Sequence, residues 1–178
     1  MEVITVLYAH PYPTRSIACK VLVEALRPVE GLHVRTLYDL YPDFDIDVPA
    51  EQAALEKSGL VVLLHPVYWY SVPGLLKHYL DVVFVKGWAY GTPDTKLQGK
   101  DCLWVATTGG DDEAYSAAGR HEHPFGTFAP PLAQAMRYCG MKWLEPHVVH
   151  ASHRLDAPAL ARAADGLRDR IFAWKEGR

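Results

Sequence analysis

The stretch LVVLLHPVYWYSVP, residues 60–73, decides the fold. Leu60–His65 is a continuous apolar run with none of the alternation expected of a strand that keeps one face in water. It therefore reads as a strand covered on both faces, the kind found in a parallel sheet packed between helices. Pro73 then opens a helix that carries Leu75, Leu76, Tyr79, Leu80 and Val83 along one side. Tyr68, Trp69 and Tyr70 stand between strand and helix, where a loop rather than a core would hold them.

The same alternation repeats on either side. Val3–Tyr8 (VITVLY) reads as a buried strand, and Ser16 as the cap of a helix bearing Ala18, Val21, Leu22, Ala25 and Leu26. Pro28 and Gly31 end that helix, and His33–Leu37 forms a second strand. A loop rich in tyrosine, proline and aspartate (LYPDFDIDVP) leads to a short helix over about 50–57. Asp101–Thr107 is the fourth strand, Gly126–Cys139 a helix irregular around Pro130 and Pro131, Lys142–Val149 the fifth strand and Ala157–Lys175 the closing helix. Such an order implies parallel βαβ units, hence a five-stranded α/β sheet with helices on both faces. No repeat or linker divides residues 1–178, so a single domain is expected.

Composition bounds the function. Hydrophobic residues make up 49% and charged residues 22%, ordinary for a globular chain, and a net charge of -3 without any basic run argues against nucleic acid. Cys19, Cys102 and Cys139 show no CxxC or zinc spacing and are expected as reduced thiols. The opening MEVITVLYAHPYP lacks the basic region of a signal peptide, and the longest apolar run, LVVLLHPV, falls short of the ~20 residues of a membrane span. The expectation is a cytoplasmic protein.

Ligands of open parallel sheets sit beyond the carboxyl ends of the strands. Three loops lie there. The first, AHPYPTRSIAC at 9–19, offers a helix start suited to phosphate, with His10 and Ser16 as donors. It has no GxGxxG and no Walker lysine, which excludes a dinucleotide Rossmann site and a nucleotide triphosphatase. The second, HPVYWYSVP, can give a planar tricyclic ring flat apolar contacts. The third, Thr107–Gly110 (TTGG), lets backbone approach a ligand closely and adds two hydroxyls. Each signal is weak singly; together they converge on one sheet edge.

AHPYP…S, HPVYWYSVP, GWAYG, TTGG and YCGMKWLEP, in this order and spacing, resemble the flavodoxin-like NAD(P)H:quinone oxidoreductases, and among these the ancillary flavoproteins of bacterial glutathione-regulated potassium-efflux systems. The resemblance implies a flavodoxin-like three-layer fold and a bound flavin, FMN with FAD as the alternative. It places His10, Ser16, Ile17, Ala18 and Cys19 at the flavin phosphate, where Cys19 replaces the family's frequent asparagine and supplies backbone only. Val67, Tyr68, Trp69 and Tyr70 then flank the ring, and Thr107, Thr108, Gly109 and Gly110 meet its pyrimidine edge. Tyr115 and His121 match the pattern's catalytic tyrosine and histidine, which would stabilise charge arising near that edge.

The activity implied is ping-pong transfer of two electrons from NAD(P)H to a quinone by a homodimer. The alternative is a regulatory subunit that binds a potassium/proton antiporter and so lies peripherally at the inner membrane; a flavodoxin-like binding module without redox work is a third reading. Other features read blandly. HEH at 121–123 and His147, His150 and His153 lack HExxH or a cysteine partner, so no metal is expected. Asp43, Asp45 and Asp47 lack the glycine and closing glutamate of a calcium loop. GWAYG at 87–91 is expected to cover the substrate pocket or a dimer seam.

Overall fold

The computed structural model describes residues 2–178. Its strands are β1 (Val3–Tyr8), β2 (Leu32–Thr36), β3 (Ser58–Pro66), β4 (Asp101–Thr107), β5 (Lys142–Trp143) and β6 (His147–Val149). Its helices are α1 (Ala18–Leu26), α2 (Leu37–Leu40), α3 (Val48–Glu56), α4 (Gly74–Val83), α5 (Pro130–Tyr138) and α6 (Ala157–Glu176). All strand pairs are parallel, in the order β2-β1-β3-β4-β5, with β6 also on β4. The chain crosses from β2 over β1 to β3, so the direction of winding reverses between β1 and β3 and opens a crevice at their carboxyl ends.

The period of two along the central strands sorts the core into two layers. Val61 and Leu63 of β3 face one side with Leu7, Trp104 and the α4 residues Leu75, Leu76, Tyr79 and Val83. Leu60, Val62 and Leu64 face the other with Ile4, Val6, Leu22, Leu26, Leu167 and Ile171 from β1, α1 and α6. Both faces of β3 are covered, as its unbroken apolar run requires.

The fifth strand differs from the sequence reading. Lys142–Val149 is not one strand but two short ones: Cys102 pairs with Trp143, and Thr107 with Val149. Pro146 between them has no N–H for the ladder. Arg170 of α6 instead takes the carbonyls of Glu145 and Pro146. The helix expected from Gly126 begins at Pro130, after a single 3-10 turn over Phe125–Phe128; proline is well placed at a first helical position.

GWAYG lies at the amino-terminal end of β3 and β4, because α4 carries the chain back there. Trp88 Nε1–H donates to Glu56 at 2.8 Å, and Lys100 donates to the carbonyls of Glu56 and Ser58. This motif is thus at the opposite sheet edge from the three loops and does not cover a pocket among them.

Candidate functional site

Three neighbouring recesses lie at the carboxyl edge of the sheet. The first, of about 210 Å³, is lined by His10, Ser16, Cys19 and Thr107 together with Arg15 and His153. At its floor α1 begins without a side-chain cap: Ile17 occupies the capping position, and its side chain has no atom that could accept from a helix N–H. Val21 N is the first to find a carbonyl, that of Ile17, which leaves the N–H groups of Ala18, Cys19 and Lys20 for an outside acceptor. By contrast α3 and α6 are capped by Asp47 and Asp156. Ser16 therefore does not cap the helix as its residue type suggests. Its hydroxyl is buried and has no partner; the Tyr8 phenol and Cys19 thiol are near but outside hydrogen-bond geometry. Burial pushes both of those groups up, so both stay protonated.

His10 completes this end. Its Nδ1 accepts from the Tyr12 N–H at 3.0 Å, and partial burial lowers its pKa, so the neutral ring carries its proton on Nε2 and is a donor. No acidic side chain lines the recess. Uncapped N–H groups, a positive helix end, an unpartnered hydroxyl and Arg15 together suit an anion such as phosphate. Ile17 is 71% exposed, so it serves this recess through backbone.

The second recess, of about 360 Å³, is lined by Val67, Trp69, Tyr70, Gly109, Gly110, Tyr115, Arg120, His121 and His153. A third, lined by Gly109, Gly110, Asp111, Arg120, His153 and Arg154, adjoins it. His153 borders all three. The aromatic wall comes from a two-residue hairpin turn: Tyr68 N donates to Ser71 O at 3.1 Å and Ser71 N to Tyr68 O at 3.0 Å. Both central residues have left-handed backbone, Trp69 at φ +49° and Tyr70 at φ +62°. Such primed turns normally take Asn-Gly. Side chains as large as these cost about 1–3 kcal/mol each in that region, strain of a kind kept at functional sites. The turn sends Trp69 outward, 92% exposed, so its ring belongs to the loop and not to the core. Tyr70 remains partly exposed and stacks on Phe128, ring centroids 4.8 Å apart.

Tyr115 and His121 lie together, ring centroids 4.2 Å apart and 23° from parallel. Tyr70 Oη is 3.2 Å from His121 Nδ1, while His121 Nε2 is buried without a partner. Gly110 makes room for the pair: a Cβ there would stand 2.9 Å from His121 Nε2 and 3.0 Å from the Tyr115 ring. Burial raises the Tyr115 phenol, which keeps its proton at neutral pH.

Two expected donors are already used. The Thr108 hydroxyl donates to Gly110 O at 2.7 Å and meets His150 Nδ1 at 2.9 Å, and its N–H bonds Val149 O. Thr107 Oγ1 contacts Cys19 Sγ at 3.3 Å. Gly109 and Gly110, whose N–H groups have no acceptor among the described residues, are what the TTGG loop offers. Tyr68 stands edge-on to His10, ring centroids 6.5 Å apart. Sequence reasoning missed Arg15, Arg120, Ser152 and His153. The last two follow β6, another carboxyl strand end, and the rule that directed attention to the other loops applies there equally.

The chain matches the family described as Flavodoxin-like fold over residues 2–171. It is 45% identical, over 97% of both chains, to the glutathione-regulated potassium-efflux system ancillary protein KefF of Salmonella typhi. Three solved structures resemble it closely. One, named as a thermophilic tryptophan halogenase of Streptomycin violaceusniger, superposes with a TM-score of 0.89 at 32% identity, covering 95% of this chain and 98% of that one. General stress protein 14 of Treponema denticola, in complex with FMN, gives 0.87 at 28%, covering 97% and 99%. An NADPH-quinone reductase of P. pentosaceus gives 0.85 at 25%, covering 96% and 97%. Names this diverse on one fold leave the reaction to the site. By sequence, sheet order and these likenesses, the chain belongs to the flavodoxin-like family, in which KefF is a relative along almost its whole length.

Proposed function

We propose that this chain is a single flavin-binding domain that carries two electrons from NAD(P)H to a quinone. One observation carries the reading: an uncapped helix start with a buried, unpartnered Ser16 hydroxyl adjoins a recess walled by Val67, Trp69 and Tyr70 and floored by Gly109 and Gly110. A phosphate at one end and a flat ring at the other describe FMN, the ligand of the stress-protein structure; FAD is the alternative. Bound there, the flavin supplies an acceptor for hydride and a donor to quinone.

The chain's own residues do the rest. His10, Ser16 and the free N–H groups of Ala18 and Cys19 hold the phosphate. Val67 and Tyr70 give the ring apolar contacts, and Trp69 stands exposed at the rim of the same recess. Tyr115 O–H and the His121 ring stand over Gly110, where donors stabilise negative charge on a ring edge. Arg120 has no carboxylate partner among the described residues and faces the second and third recesses, so it favours a phosphate-bearing co-substrate. One slot serves donor and acceptor in turn, hence ping-pong kinetics. The outward Trp69 and Ile17 suit a second copy of the chain, hence a homodimer.

The test is an absorption spectrum of the purified protein, then NADPH, then a soluble benzoquinone. Bleaching by NADPH and recovery with quinone support the reading; a protein left colourless after incubation with FMN and FAD overturns it. A second role, as ancillary subunit of a potassium-efflux system, is favoured by the 45% identity to KefF. No helix among the described residues is long and apolar enough to cross a membrane, so such a role would need a partner in the bilayer. Co-purification with that partner checks it.

A further inference from the structure

We infer that Tyr70 is a positioning residue: its hydroxyl donates to Nδ1 of His121 and so fixes the ring as an Nε2–H donor beside the Gly109–Gly110 backbone. The inference takes its purpose from the flavin reading, but its geometry stands independently.

The first support is the contact itself, 3.2 Å from Tyr70 Oη to His121 Nδ1. A neutral imidazole has one N–H and one bare nitrogen, and whatever partners one nitrogen decides the other. A phenol oxygen shares its lone pair with its ring, which makes it a better donor than acceptor, whereas a bare imidazole nitrogen accepts strongly. The O–H therefore goes to Nδ1 and the ring proton to Nε2.

The second support is where Nε2 lies. It is buried and unpartnered, close enough to Gly110 that a Cβ there would come within 2.9 Å. A buried donor without an acceptor is uncommon unless something outside the chain completes it. The proton fixed by Tyr70 thus stands where the TTGG loop would meet the polar edge of a bound ring.

The third support is what restrains Tyr70. Two consecutive left-handed residues hold its backbone, Phe128 stacks on its ring, and Tyr115 stacks on the His121 ring at 4.2 Å. Asn-Gly would make the same turn without strain but could bring neither this hydroxyl nor this ring to His121. The arrangement accounts for a tyrosine at position 70 in so unfavourable a backbone.

Long-range 1H–15N correlation on the full-length, histidine-labelled protein reads the tautomer directly. The wild type is expected to show Nε2–H, and Tyr70→Phe a mixture of tautomers. Nδ1–H in the wild type, or an unchanged tautomer in Tyr70→Phe, overturns the inference. A double-mutant cycle on flavin reduction by NADPH provides the second arm. Tyr70→Phe is expected to slow reduction about tenfold in the wild type but less than about twofold in His121→Gln, because an amide donor needs no tautomer set for it. Equal slowing in both backgrounds overturns the positioning role. If the protein binds no flavin, the redox reading fails and the tautomer measurement still decides this one.

Discussion

The indole N–H of Trp104 donates to Nε2 of His65 over 2.8 Å, while Nδ1 of the same ring faces the Pro66 carbonyl at 2.9 Å. His65 is fully buried at the end of β3, and its two partners define a neutral ring with the proton on Nδ1. Burial pulls its pKa down from 6.5 to about 4, with the Pro66 carbonyl opposing in part.

A pH dependence of stability follows. Between about pH 6.5 and 4 the unfolded chain binds a proton at His65 that the native ring refuses, so the contribution is complete above 6.5 and is lost as pH falls toward 4. The loss should total about 3 kcal/mol. Urea unfolding at pH 7 and pH 4.5 measures it; in His65→Gln the drop between the two should shrink accordingly.

Ser16→Ala should act with opposite signs on fold and ligand. Removing a buried, unpartnered hydroxyl relieves a desolvation cost, so the ligand-free protein should gain up to about 1 kcal/mol. A hydrogen bond to a charged phosphate contributes about 1.5–3 kcal/mol, so FMN affinity should fall about 10- to 100-fold. Thermal melts without FMN and fluorescence titration with it test the two halves separately.

The adjacent glycines should behave differently. A Cβ at Gly110 collides with His121 and Tyr115, whereas one at Gly109 meets nothing within 4 Å. Gly110→Ala should displace the ring pair and slow flavin reduction by at least about tenfold. Gly109→Ala should leave stability unchanged while weakening FMN binding, because the new methyl occupies only the space a ligand would use. Stopped-flow reduction and melting temperatures of both variants distinguish these effects.

Glu51 supports the fold at a distance from the recesses. It is fully buried, and its carboxylate accepts from Arg35 Nε at 2.7 Å, Tyr41 at 2.5 Å and Tyr79 at 3.0 Å. Glu51→Ala strands the Arg35 guanidinium and should cost about 3–5 kcal/mol. Its denaturant midpoint should fall while FMN affinity in the folded protein stays within about twofold, since Glu51 lines neither recess.

The legible parts of this sequence were those set by short-range pattern. Leu60–His65 and Asp101–Thr107 announce buried strands because both faces must be apolar, and the order of elements then directs attention to the carboxyl edge. What stayed hidden depends on distant partners. Nothing near Thr108 says that His150, 42 residues on, will meet its hydroxyl. Ser16 has the chemistry of a cap, but the chain turns into α1 one residue later and leaves its hydroxyl facing the recess. Pro146 was visible inside the last strand, yet that β6 would resume beyond it follows only from pairing with β4.

The turn at Trp69 and Tyr70 also bears on how this protein could change over generations or in the laboratory. Selection for heat resistance alone would favour Asn-Gly at 69–70, which relaxes the backbone and takes the exposed indole of Trp69 out of water. The same exchange would strip the aromatic wall and release His121. Durability and chemistry compete at these two positions, so a lineage that drifts to Asn-Gly there would retain its fold while losing the electron-carrying role proposed above.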